Sequence, residues 1–158
     1  MAEHNSSSHF TRSSTAAEPF GPPLIGALLR RPWEAVQRHI LERLHGRGFD
    51  DLDAAHLTVF QYPGPQGARP SQLAGQLRIS KQALNYLLGQ LERLGYLERT
   101  PDPDDLRSKR VALTQRGVSA IAVIREAVAE METLWAQQLG PKRFDQLRNL
   151  LVDLDEQT

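Results

Sequence analysis

From Ser80 to Gly95 the chain reads SKQALNYLLGQLERLG, with Leu84, Leu87, Leu88 and Leu91 recurring at the three- and four-residue intervals of one helical face. Ser80 is a favoured N-cap and Gly95 supplies a left-handed stop, so the pattern predicts a helix with both ends marked. Its other face carries Lys81, Gln82, Asn85, Tyr86 and Gln90. Just upstream, PSQLAGQLR places Leu73, Ala74 and Leu77 on one face behind Pro70, a residue suited to a first helical position. Only a short turn around RIS separates the two, which is the spacing of a helix-turn-helix. Downstream the period changes to two. YLERT and KRVALT alternate apolar and polar positions, with Leu97, Val111 and Leu113 facing a core, and predict two strands. The intervening segment is read as a long charged loop, with Pro101 and Pro103 keeping it out of the strand ladder.

The flanks repeat the helical period. Between Phe20 and Leu44, the positions Leu24, Leu28, Val36, Ile40, Leu41 and Leu44 predict a long amphipathic helix, kinked or entered twice at Pro32. DAAHLTVFQY reads as a helix capped by Asp53, with His56 at the third position, where a capping box holds Glu or Gln. PGPQGARP must then be a turn. After Thr114, a further capping residue, Val118, Ile121, Ile124, Val128, Met131 and Trp135 keep helical spacing, and Phe144, Leu147, Leu151 and Leu154 extend it. The expected organisation is a Ser/Thr-rich mobile tail at 1–18, an N-terminal dimerisation helix at 19–49, a winged helix-turn-helix at 50–114 and C-terminal dimerisation helices at 115–158. The fold class is mainly α with a small β-hairpin wing. So much apolar helix beyond a small winged core calls for a partner surface, and a second copy related by a two-fold axis is the commonest one.

Composition narrows the chemistry. The chain has no cysteine, which removes disulfides, thiolate ligands and a thiol redox sensor. No apolar run approaches the roughly 20 residues of a membrane span, and the expected location is cytoplasmic, with no membrane partner. No phosphate-binding glycine loop, His-Glu-x-x-His or nucleophile elbow occurs, so an enzyme is not expected. The five histidines lack a metal-defining spacing, and neither metal nor cofactor is expected. The zero net charge hides a basic middle: Arg69 to Arg110 holds eight basic against five acidic residues.

These features converge on double-stranded DNA. The second helix of a helix-turn-helix can lie in the major groove, where Asn and Gln pair with adenine and Lys reaches guanine or phosphate. The candidate base and backbone contacts are Ser80, Lys81, Gln82, Asn85, Tyr86 and Gln90. Arg107, Lys109 and Arg110 on the wing suit phosphate or a minor groove. Asp102 and Asp105 are expected to orient a wing arginine, because charge-assisted pairs fix guanidinium direction. The alternative is a winged-helix module that binds protein without reading DNA sequence.

The run from Ser80 to Gly117 also resembles the MarR family of bacterial transcription regulators, whose wing carries Asp-Pro-x-Asp-x-Arg, then Val-x-Leu-Thr and Gly. Asp102, Pro103, Asp105, Arg107, Val111, Leu113, Thr114 and Gly117 match it. Leu106 stands where the pattern often has a second arginine. The resemblance implies a homodimer on a pseudo-palindromic operator, acting as a repressor released by a small aromatic or phenolic effector. Trp33, His39, His56 and Phe60 are the candidate lining of such an effector cleft.

Overall fold

A computed structural model describes residues 22–60 and 67–157. The first described helix is α1 (Ile25–His45), continuous with Pro32 inside it, so it is not entered twice. A proline there forfeits only the bond to the Leu28 carbonyl. Leu28, Leu29 and Trp33 are exposed, so that carbonyl lies on a surface that water can reach. Phe20 and the tail lie outside the described residues. The helix ends at Gly46, and His45 Nε2 donates to the Leu52 carbonyl at 3.0 Å, folding the following loop back onto it.

Asp53 caps α2 (Ala54–Phe60) as the sequence predicts. Its Oδ1 accepts from the backbone of Ala55 at 2.9 Å and His56 at 3.1 Å, while the Asp53 N–H donates to His56 Nδ1 at 3.2 Å. This is the reciprocal geometry of a capping box with histidine as the third-position acceptor. The first half of the PGPQGARP turn lies outside the described residues. After it come α3 (Pro70–Leu77) and α4 (Lys81–Arg93), with Ser80 Oγ accepting from Ala83 N–H at 3.1 Å. The α4 terminus closes as predicted at Gly95, φ 78°. Gly95 N–H bonds the Glu92 carbonyl and Tyr96 N–H bonds that of Leu91, the paired bonds of a Schellman turn. Leu73, Leu84, Leu88 and Leu91 are fully buried among Leu57, Val59, Phe60 and Tyr96. Each such side chain contributes about 1.5–3 kcal/mol through removal from water.

The hairpin differs from its sequence reading. Strand β1 (Leu97–Asp102) pairs antiparallel with β2 (Asp105–Leu113), from Leu97↔Leu113 out to Pro101↔Lys109 and Asp102↔Asp105. Only Pro103 and Asp104 lie between the strands, so the long loop is replaced by a tight turn with a register shift at Pro101/Asp102. Pro101 is accommodated because β1 is an edge strand, where a missing N–H is tolerated. The other side of β2 is taken by Ala68, whose N–H and carbonyl both bond Val111 at 2.9 Å. A single bridging residue has no periodicity, and the sequence offered no sign of it.

Thr114 caps α5 (Gln115–Leu139) through its Oγ1, which accepts from Gly117 N–H at 3.1 Å. The buried residues of α5 are Gly117, Ala120, Val123 and Ala127, not the larger stripe the spacing singled out. Val118 is exposed, and Ile121, Ile124, Met131 and Trp135 are half-buried. Small residues let α1 approach closely. His39 and Arg43 meet Glu130, and Arg47 meets Glu126, so the two helices run antiparallel. Finally α6 (Pro141–Glu156) follows Gly140 and buries no residue within the protomer.

Candidate nucleic-acid interface

Recognition-helix geometry follows from the division of α4. Its leucine face is locked into the core, which leaves Lys81, Gln82, Asn85 and Tyr86 exposed beside the capped N-terminus, with Tyr86 64% accessible. Gln90 is half-buried and its Nε2 donates to Tyr86 Oη at 3.2 Å, one turn away, so these two side chains present a joined polar surface. Ser80 is exposed, and its hydroxyl is already engaged in the cap. In the turn before it, Arg78 is exposed and takes a left-handed conformation, φ 52°, with its N–H on the Gly75 carbonyl at 3.3 Å. A side chain in that region costs about 1–2 kcal/mol per residue, and the position is the sharpest backbone feature of the helix-turn-helix. Sequence reading did not single it out, because Gly or Asn is the usual signal for such a turn.

The wing carries its charges in two settings. Arg107 and Lys109 are exposed near the tip, and no carboxylate among the described residues forms an ion pair with either. Arg110 is turned inward. Its guanidinium lies 3.6 Å from Asp102 Oδ2, and its Nε is buried without a hydrogen bond. Asp102 itself is 0% exposed. One carboxylate oxygen takes the Arg69 Nε–H at 2.5 Å, and the other accepts the Asp104 N–H at 2.9 Å, closing the turn. The Arg69 hydrogen bond, followed by that from Asp104, holds the Asp102 carboxyl below its ordinary value despite the opposing effect of burial. The same carboxylate raises the pKa of Arg69.

The expected orienting role thus falls differently on the two aspartates. Asp102 directs Arg69 and Arg110 beside the hairpin turn, whereas the Asp105 carboxylate accepts the backbone N–H of Arg107, at 3.1 Å. Arg69 was missed. Its one signal was an arginine at an N-cap position, where Ser, Thr, Asp or Asn would be expected.

The four candidate effector-lining residues sit in different settings. Phe60 is core, edge-on to Tyr96 with ring centroids 5.4 Å apart. His56 is buried in its capping role. His39 pairs with Glu130 at 2.8 Å, and Trp33 is exposed on α1.

A tri-helical core, a hairpin and an exposed polar recognition helix define a winged helix-turn-helix protein. The model of the MarR family matches residues 51–108. The chain is 30% identical over 121 residues to the uncharacterized HTH-type transcriptional regulator YkoM of Bacillus subtilis, covering 77% of each chain. It is 31% identical over 109 residues to the HTH-type transcriptional regulator PecS of Dickeya dadantii, covering 69% of this chain and 63% of that protein. This chain therefore belongs to the MarR family of HTH-type transcriptional regulators. Among solved structures, a S. aureus MepR-DNA complex superposes with a TM-score of 0.68 at 21% identity, covering 87% of this chain and all of that one. Wild-type MarR from E. coli, in its apo form, gives 0.64 at 24% identity over 84% and 97% of the two chains.

Proposed function

We propose that the chain is a homodimeric, sequence-specific DNA-binding repressor of a pseudo-palindromic operator, released by a small aromatic or phenolic effector in the cytoplasm. The observation that carries the DNA reading is the face of α4, where Lys81, Gln82, Asn85 and Tyr86 stand exposed around a capped N-terminus while Leu84, Leu88 and Leu91 hold the helix rigid from behind. Arg107 and Lys109, whose side chains form no ion pair among the described residues, supply wing contacts to phosphate or a minor groove. Dimerisation is supported by α6, which leaves Leu147, Leu150, Leu151 and Leu154 exposed, and by the exposed Leu24, Ile25, Leu28 and Leu29 at the start of α1. Effector release rests on kinship alone.

Fluorescence anisotropy against the palindrome nearest the gene, compared with scrambled DNA over a salt series, tests the reading. A preference of two or more decades that survives moderate salt is expected. Asn85→Ala should relax sequence preference, whereas Lys109→Ala should weaken all sequences alike and flatten the salt dependence by about one unit of slope. Equal binding to both DNAs by the wild type, with Arg107→Ala harmless, would favour the protein-binding module instead.

A further inference from the structure

The hairpin separates α4 from α5 by some twenty residues of sequence, yet the two helices are fastened together directly at its base. Thr114 Oγ1–H donates to the Gly95 carbonyl at 2.6 Å, and Thr114 N–H bonds that of Tyr96 at 3.0 Å. Gly117 sits so close that an added Cβ would meet the Tyr96 carbonyl oxygen at 2.2 Å. Arg116, in the first turn of α5, reaches back with one nitrogen to the Leu94 carbonyl, the C-cap of α4, at 2.5 Å. Its other terminal nitrogen donates to Asp51 Oδ2 at 2.9 Å, and the guanidinium lies 4.3 Å from the Tyr96 ring centroid. Tyr96 is 0% exposed, packs against Phe49 and Phe60, and donates its hydroxyl to Asp51 Oδ1 at 2.5 Å. Asp51 thereby joins the loop between α1 and α2 to the same knot. Burial pushes the Asp51 carboxyl up, but the bonds from Tyr96 and Arg116 outweigh it and hold it ionised. Burial, followed by the bond to Asp51, raises the Tyr96 phenol.

We infer that Arg116, with Asp51 and Tyr96, is the positioning element that locks the recognition helix α4 to α5, so that the arrangement of the two α5 helices in the dimer sets the separation of the two recognition helices. The inference rests on the dimeric DNA-binding reading above. None of the three side chains touches DNA in this role. Wing contacts and base contacts are left intact when the lock is loosened, and what changes is the tolerance for half-site spacing. One base pair added between half-sites moves them by about 3.4 Å and rotates them about the duplex axis, a mismatch a rigid joint cannot absorb.

The test uses the full chain, with Arg116→Met, which keeps a long stem over the Tyr96 ring, and Tyr96→Phe, which keeps the packing and removes the hydroxyl. Binding is measured to duplexes with identical half-sites whose central spacer is lengthened or shortened by one base pair. The wild type should prefer one spacer by about tenfold or more; both variants should flatten this to less than about threefold, with base preference inside the half-site and thermal unfolding little changed. Arg116→Lys should restore part of the spacing preference. A uniform loss across all spacers, or an unchanged profile, would overturn the inference while leaving the DNA-binding reading intact.

A second arm needs no operator. Because the chain lacks cysteine, Gln82→Cys gives one spin label per protomer, and the distance distribution between the two α4 helices should broaden when Arg116→Met is added. An equally narrow distribution overturns the lock. Absence of any pair distance would mean a monomer, and would remove both the lock and the dimeric reading.

Discussion

The winged core and the helices that flank it treat leucine in opposite ways. In α2, α3 and α4 most leucines at helical spacing are removed from water, none is exposed, and Leu73, Leu84 and Leu91 are at 0% exposure. In α6, Leu147, Leu150, Leu151 and Leu154 have the same spacing and all remain exposed. The N-terminal half of α1 behaves like α6. Periodicity alone therefore says that a helix has an apolar face, and burial says whether the protomer or something else covers it. The core is complete in one chain; the flanks leave exposed the apolar surface on which the proposed dimer rests.

The largest expected effect sharpens the core side of this contrast. Leu84→Ala should lower unfolding free energy by about 2–5 kcal/mol in denaturant titration, through lost transfer and the cavity left behind. On the flank, Leu150→Glu combined with Leu154→Glu should barely touch the fold of the protomer. Sedimentation should instead fall from twice the 17.7 kDa chain mass to one copy, and affinity for a palindrome should fall with it. A dimer that survives this pair would break the comparison, since α6 would then need another explanation.

The smallest effect concerns charge. Asp102 is held below the ordinary carboxylate value of 3.8 in the native state, so its contribution is fully present above that value and is lost as pH falls through the lowered one. Acid unfolding should accordingly begin below about pH 4, and Asp102→Asn should flatten that limb. By contrast the flank pair Arg148–Glu132, with both side chains well exposed, should contribute no more than about 1 kcal/mol when Arg148 is replaced by alanine.

How much of this was legible follows from the range of each interaction. The caps at Asp53, Ser80 and Thr114 and the stop at Gly95 were readable, because each depends on residues within a few positions. At Pro32 a second helix start did not follow, since a rule about helix interiors does not register that the freed carbonyl faces water. Pro103 does stay out of the ladder, but Pro101 misled for a related reason: whether proline interrupts a ladder depends on which strand is the edge, and Ala68 decides that by pairing with Val111, more than forty residues away. The recognition face was assigned correctly as exposed, except that Gln90 is half-buried. Arg110 was taken for an outward cation because sequence alone does not show that Asp102 is buried beside it, nor that Arg69 shares the carboxylate.

Gly117 bears on where this chain can be divided. The expected boundary at 114 would leave Thr114 without the N–H it caps and the Tyr96 carbonyl without the neighbour that covers it. A transplant of the DNA-reading module onto another scaffold therefore has to carry residues 114–117 with it. Position 117 itself admits a single letter of the amino-acid alphabet, while exposed Gln115 and Ser119 on either side are at liberty to drift.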